Sequence, residues 1–323
     1  SNAYQKLLYR RLRGEGVQVR GVASFEELEA LALSSAVDNI LHLHWLNAVF
    51  KNTDEPFESR AERLLELVAR RQQAGFRVFW TVHNRLNHDS GHPDAERQLR
   101  YRLARRVDRV YVHHPVVPAL LDWWPDEVEP WLCEHGGYDV APGQTPQAEV
   151  RRQLGLDAEA RVLLWFGQVR PYKGLDAWLP TILDTLEKLD NVRLVIAGQV
   201  QVDGLQRQLQ KHASRVRLID RFVGDDELGV LASAADFGLL TYRDILTSGA
   251  MFHFYCLGLP VIAPEIGTLP AYVVPGWNGA LYRDAASLDQ ALRMACRTDA
   301  ARLAAYREAA RETAAAFRWG RVV

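Results

Sequence analysis

Tyr242-Arg-Asp-Ile-Leu-Thr-Ser-Gly249, an apolar run closed by Gly258, and then Leu259-Pro-Val-Ile-Ala-Pro264 form the stretch on which the fold turns. Residues 235–241 are apolar enough for a buried strand, and Thr247-Ser248-Gly249 is a small-residue turn. The pattern after it predicts a helix ending at Gly258, with a second buried strand over 260–263. A helix that opens on Ser-Gly presents free backbone N–H groups and the positive end of its dipole. At the carboxyl end of a strand in an open parallel sheet, that is a place for an anion, usually a phosphate. Taken alone, the segment reads as an ordinary βαβ turn whose serine caps a helix.

A second junction changes the weight of the first. Residues 161–167, Arg-Val-Leu-Leu-Trp-Phe-Gly, predict a buried strand ending in glycine. Gln168-Val-Arg-Pro-Tyr-Lys-Gly174 follows, and then a helical pattern through Leu179, Ile182, Leu183 and Leu186. Arg170 and Lys173 therefore stand at a strand-to-helix junction of the same kind, where two cations can meet one anion. One cationic junction and one offering helix N–H groups, in one α/β domain, make a diphosphate site.

With Gly167-Gln-Val-Arg-Pro-Tyr-Lys-Gly174, Ile245-Leu-Thr-Ser-Gly249, Gly258-Leu-Pro-Val-Ile-Ala-Pro264, Gly267-Thr-Leu-Pro270 and Thr81-Val-His-Asn84, the chain resembles the family-4-type glycosyltransferases. These have the GT-B architecture, an α/β fold of two Rossmann-like domains facing across a cleft that holds a nucleotide sugar. The branch resembled includes enzymes of polysaccharide and glycolipid assembly. The resemblance implies transfer of a sugar from a nucleoside-diphosphate sugar to a saccharide, lipid-linked or small-molecule acceptor, with retention at the anomeric carbon. Arg170, Lys173, Thr247, Ser248 and Gly249 would hold the donor diphosphate. His83 matches the cleft histidine and would be the catalytic contact to the sugar. The loop carrying Phe222 and Val223 would lie by the nucleobase. One departure stands out: the family usually has two glutamates eight residues apart here, the second gripping the ribose, and this chain has Ile245 and His253. With two cations and a helix N-terminus supplying charge, no divalent metal or other cofactor is expected. Two further readings stand beside this one. A GT-B nucleotide-sugar epimerase would need an acid near the sugar, for which Glu265 is the obvious choice. A non-catalytic binding protein would keep the fold without turnover.

Length and composition agree with that reading. The 323 residues suggest two domains, and the boundaries expected are 1–143 on the acceptor side and 144–300 on the nucleotide-sugar side. A last helix in 301–323 is expected to pack back toward the first domain. Net charge is −1 and no Lys/Arg-rich block exists, so nucleic acid is not an expected partner. Cys133, Cys256 and Cys296 are widely spaced and fit reduced thiols of a cytoplasmic protein. No run of about 18 apolar residues predicts a membrane span, which leaves peripheral contact with the inner membrane face open. G-x-S-x-G, G-x-x-x-x-G-K-[ST] and G-x-G-x-x-G are all missing, which removes the simplest signals for a hydrolase, a P-loop NTPase and a dehydrogenase.

The first domain opens unusually. Residues 4–13 predict a helix and Val17-Gln-Val19 begins a strand, whereas a Rossmann-like domain starts with a strand and a glycine-bearing loop. The domain is read as lacking its first strand, through shortening of the chain. Strands are then expected at 38–44, 76–82 and 107–112, with helices at 60–73, 95–106 and 116–123. His42 and His44 share one strand face, and His113 and His114 point to opposite faces. His83 follows a buried strand and feeds a polar loop, a position where α/β enzymes place function. His135-Gly136-Gly137, inside the proline- and glycine-rich connection at 124–143, is the candidate hinge and cleft segment.

Overall fold

A computed structural model of the chain describes residues 3–10, 12–22, 24–31, 38–51 and 53–322. Contacts divide it into two units, one ending at His135 and the other running from Gly136 to Arg321. The division falls inside the proline- and glycine-rich connection.

The first unit begins with helices α1 (Ala3–Arg10) and α2 (Phe25–Glu29). Strand β1 (Ile40–Leu43), helix α3 (Phe57–Gln73), β2 (Arg77–Thr81), α4 (Pro93–Arg106), β3 (Arg109–Val112) and β4 (Trp131–Leu132) follow. All four strands are parallel and lie in sequence order, β1-β2-β3-β4. Helix α4 opens on Pro93, whose missing N–H costs nothing at a first helical position. Two expectations fail in this unit. Residues 17–20 form no strand; Val17 is 43% exposed, and an extended segment without a paired neighbour gains no ladder. Residues 116–123 give only one 3-10 turn, Pro118–Leu120, because Pro118 cannot donate into a preceding helical turn. Among the described residues β1 is the first strand, and only β2 pairs with it.

The second unit carries α5 (Gln147–Gln153), β5 (Arg161–Phe166), α6 (Leu175–Glu187), β6 (Val192–Ala197), α7 (Leu205–Gln210) and β7 (Val216–Ile219). It continues with α8 (Asp225–Ala234), β8 (Phe237–Leu239), α9 (Gly249–Cys256), β9 (Val261–Pro264), α10 (Leu269–Tyr272), β10 (Gly279–Tyr282), α11 (Ala285–Arg297) and α12 (Ala300–Ala316). Its six strands are parallel in the order β10-β9-β8-β5-β6-β7. Strand β5 is apolar throughout its buried span because both faces are covered. Val162 and Leu164 enter the core beneath α8 and α9, while Leu163 and Trp165 enter the core shared with α6 and α11. The strand order reverses at β5, which has β6 on one side and β8 on the other. That reversal opens a crevice at the carboxyl ends of these two strands, the usual ligand position in such sheets. Helix α12 lies on α9. Ala310, Ala314 and Phe317 join the core containing Phe252 and Tyr255, so its apolar stripe is already spent within the second unit. Among the described residues no helix is long and apolar enough to cross a membrane.

Candidate functional site

The loops leaving β5 and β8 are stitched together at the reversal point. After β5 the chain makes one 3-10 turn, Pro171–Lys173, and Gly174 caps α6 at φ 67°. A side chain at Gly174 would be strained at that φ and would collide with the Thr241 carbonyl oxygen. The Trp165 indole N–H donates to the Thr241 hydroxyl (2.8 Å), which donates to the Lys173 carbonyl (2.7 Å). The Arg243 N–H donates to the Tyr172 carbonyl (2.9 Å), and the Arg243 guanidinium pairs with Asp176 at 2.7 Å. Backbone at both strand ends is thereby fixed in place.

The Lys173 side chain turns in toward the end of β5. Its Nζ lies 3.4 Å from the Phe166 carbonyl oxygen and 5.3 Å from the Trp165 ring centre. No carboxylate pairs with it among the described residues, and Phe166 offers its single acceptor. Burial, with the charge of Arg170 second, lowers its pKa to about 8. Arg170 donates to Gln201 Oε1 (2.9 Å) and likewise has no carboxylate partner. Two cations without counter-charge thus stand at one strand end.

Helix α9 opens as the sequence predicts. Ser248, 1% exposed, accepts the Met251 N–H (3.2 Å) and shares a hydrogen bond with Tyr242 Oη (3.0 Å). The N–H groups of Gly249 and Ala250 have no acceptor among the described residues, as the first turn of a helix requires unless a ligand supplies one. The Thr268 hydroxyl donates to the Leu246 carbonyl (2.8 Å) and holds the preceding loop, with Thr247 beside it. A Cβ on Gly249 would come within 2.6 Å of Tyr138 Oη. Tyr138 in turn stacks on His253 at 3.6 Å, and His253 Nδ1 donates to the Gly249 carbonyl (3.1 Å). The structure thus brings His253 to the opening turn of α9.

The two expected nucleobase contacts separate. Phe222 is 79% exposed, whereas Val223 is 4% exposed and packed into the core, so its side chain is unavailable to a base. A groove of about 380 Å³ lies along edge strand β7 between α5 and α8, away from the reversal point. Val150, Leu154, Leu218 and Leu231 line it together with Arg217, Asp220, Arg221 and Glu227, and Arg221 is already paired with Glu227.

In the first unit His83 is buried, not open at a strand end. Its ring stacks on Trp45 at 3.8 Å, and Tyr4 of α1 lies edge-on at 4.9 Å. Both ring nitrogens are engaged, Nε2 with His44 Nδ1 (3.0 Å) and Nδ1 with His113 Nε2 (3.2 Å). One carbonyl fixes every proton in this chain. The Cys133 carbonyl can only accept, so His113 Nδ1 carries hydrogen (2.8 Å) and its Nε2 is a lone pair. Neutral His83 must then donate through Nδ1, neutral His44 through Nδ1, and Tyr9 Oη to His44 Nε2 (2.7 Å). His42 Nδ1 donates to Tyr9 (2.7 Å), and the Thr81 hydroxyl donates to His42 Nε2 (2.8 Å). Burial holds all four imidazoles neutral, with pKa values near 4 for His42 and His113 and well below the usual range for His83. In this arrangement no nitrogen of His83 is left for a sugar. The catalytic contact that the resemblance implies would have to replace one of these two hydrogen bonds.

The hinge candidates fall at the division between the units. His135 is buried in the first unit, 5.2 Å from the His113 ring and 5.1 Å from the Tyr4 ring. Gly137 is the second residue of the second unit, its N–H donating to the Phe317 carbonyl (2.7 Å) and its carbonyl accepting from the Trp319 indole (2.6 Å). A side chain at Gly136 would collide with the Trp319 ring. Sequence reasoning missed Tyr138, Thr241 and Tyr242 in the second unit, and Tyr4, Tyr9 and Glu96 in the first. Thr241 ends a predicted strand and Tyr242 directly follows it, which is a usable signal. Nothing local marks the others.

Residues 160–297 match the family model described as Glycosyl transferases group 1. Over 285 residues the chain is 25% identical to a GDP-mannose:glycolipid 4-beta-D-mannosyltransferase of Xanthomonas campestris pv. campestris, covering 86% of this chain and 74% of that protein. It is 30% identical over 218 residues to a D-inositol 3-phosphate glycosyltransferase of Geodermatophilus obscurus, covering 59% and 48%. Among solved structures it superposes on a sucrose-phosphate synthase from Thermosynechococcus elongatus with a TM-score of 0.67 at 22% identity, covering 88% and 70%. Anabaena HepE in complex with UDP gives 0.68 at 17%, covering 88% and 76%. The two parallel sheets and the matched domain define the class: a glycosyltransferase with the GT-B fold.

Proposed function

We propose that the chain moves a hexosyl group from a nucleoside-diphosphate sugar to a saccharide, lipid-linked or small-molecule acceptor, with the donor diphosphate bound at the β5/β8 reversal point. One observation carries the reading: Lys173 is turned into a strand end without a carboxylate, on a loop stitched to the one that opens α9 with two unpartnered N–H groups. A doubly charged diphosphate satisfies both at once. In the reaction the bond from the anomeric carbon to the phosphate oxygen breaks, and its electron pair leaves on the diphosphate. Lys173, Arg170 and the N–H groups of Gly249 and Ala250 meet that growing charge. The acceptor hydroxyl oxygen bonds to the anomeric carbon and releases its proton.

Retention at the anomeric carbon and independence from a divalent metal belong to the proposal. The anomeric coupling in the product's NMR spectrum tests the first, and turnover in excess chelator tests the second. The Xanthomonas relative is named for GDP-mannose and a glycolipid, and HepE was solved with UDP-glucose, so these two donors and a lipid-linked saccharide are the first to assay. Calorimetry with UDP, GDP and dTDP is the direct test of the site. Binding of at least one, lost in Lys173→Ala, is expected. Failure of all three to bind overturns the reading.

A further inference from the structure

Strand β7 ends the second sheet with β6 beside it, and α5 and α8 leave the groove of about 380 Å³ along its length. The floor of this groove is aliphatic. Val150 and Leu231 are 2% and 5% exposed, and Leu154, Ile219 and Val230 complete the wall. No aromatic ring lines it among the described residues. Most of its polar groups are already engaged. Asp220 accepts the Val200 N–H (2.8 Å) and a Gln206 amide hydrogen, Gln153 donates to Glu149 (3.2 Å), and Glu227 accepts from Arg221 (2.7 Å). Arg217 differs: it is exposed and has neither a hydrogen-bond acceptor nor a carboxylate among the described residues. It shares one face of β7 with Ile219, so the guanidinium and the aliphatic wall belong to the same groove.

An aliphatic groove of this size suits a hydrocarbon chain, which gains by leaving water and asks for no hydrogen bond. A saccharide or a nucleotide would bring hydroxyl groups with little to receive them and no ring to stack on. A peptide strand would need the open edge of β7, which is four residues long and has the Val216 N–H already given to the His212 carbonyl (2.9 Å). The unengaged guanidinium calls for an anionic head group. Asp220 and Glu227 line the same groove, so Arg217 matches a single negative charge, whereas a doubly charged phosphate would be repelled. We propose that the β7 groove binds a single aliphatic chain ending in a carboxylate, with the chain along Val150, Leu154, Ile219 and Leu231 and the carboxylate on Arg217. The site lies apart from the donor diphosphate, because β6 stands between β7 and the β5 strand end that carries Lys173. It therefore does not depend on the donor-site reading.

Calorimetry of the full chain with decanoate, decanol and decyl phosphate, each below its micelle concentration, tests the proposal. Decanoate is expected to bind once per chain, at least about tenfold more tightly than decanol, and more tightly than decyl phosphate. In Arg217→Gln, at an exposed position, the preference for decanoate over decanol should fall by about tenfold. Leu154→Trp, which fills the groove, should abolish binding of both, with circular dichroism reporting whether that variant is folded. Should it not fold, Arg217→Gln decides by itself. Inorganic pyrophosphate should not compete with decanoate. Absence of saturable decanoate binding, equal affinity for decanoate and decanol, tighter binding of decyl phosphate, or a preference unchanged in Arg217→Gln each overturns the proposal. So does displacement of decanoate by pyrophosphate, which would put the chain at the donor site. The donor-site reading stands through all of these results, since it falls only when nucleoside diphosphates fail to bind.

Discussion

Lys173 carries more of the functional argument than any other side chain. A half-buried ammonium normally pairs with a carboxylate, and here it faces a single carbonyl at 3.4 Å. Lys173→Ala is expected to weaken nucleoside-diphosphate binding by about 1.5–3 kcal/mol, tenfold or more, in calorimetry. The same residue sets a pH dependence. Its pKa of about 8 means that the cation is lost as pH rises through that value, so affinity should decline from pH 7 toward pH 9. A guanidinium at position 173 does not titrate in this range, so the decline should vanish in Lys173→Arg. Gly249 adds a steric test. Because a Cβ there would meet Tyr138 Oη at 2.6 Å, Gly249→Val should displace Tyr138 and abolish binding, with Gly249→Ala intermediate. Full affinity in Gly249→Val would show that the α9 N–H groups do not approach the ligand.

The α9 start is legible in the sequence because its signals are local. Ser248 caps, Gly249 permits close approach, and the apolar run follows. The structure adds that the Ser248 hydroxyl also holds Tyr242, 6% exposed, so the cap is tied to the β8 loop. Ser248→Ala should cost about 1–2 kcal/mol in urea unfolding, more than Ser248→Thr, which keeps an oxygen. Helix α4 hides a comparable device that no local pattern reveals. Glu96, 1% exposed, accepts from Arg100 (2.7 Å) and from the Asn87 N–H (2.9 Å), while Arg100 donates to the Asn84 carbonyl (3.0 Å). This buried pair fixes the loop that follows His83. Glu96→Ala leaves a buried guanidinium uncompensated and should destabilise the first unit by about 3–5 kcal/mol, read by denaturant titration.

The two units should respond differently to acid. In the first, a chain of neutral histidines runs from Thr81 to the Cys133 carbonyl, with folded pKa values near 4 for His42 and His113. An unfolded histidine titrates near 6.5, so below that pH the unfolded chain binds protons that the folded one refuses. This contribution to stability is fully present above about pH 6.5 and is lost as pH falls toward 4. Hydrogen exchange should therefore show residues 40–44 and 77–83 losing protection between pH 6.5 and 5. Residues 161–166, in a core without such a chain, should keep theirs. Uniform loss across both sheets would dissociate the effect from the histidines.

The sequence alone determined the parallel α/β alternation and the two loops that supply Lys173 and the α9 turn. These follow from apolar periodicity and turn chemistry, which act over a few residues. Tertiary structure decided which of the marked residues are available. Phe222 is exposed while Val223 is core, because the loop between β7 and α8 turns one side chain out and the next one in. His83 looked like an open strand-end histidine, yet Tyr4, Trp45, His44 and His113 from distant positions close around it. Each of these outcomes depends on hydrogen bonds and packing between segments far apart in the chain, and such contacts leave no periodic trace in the sequence.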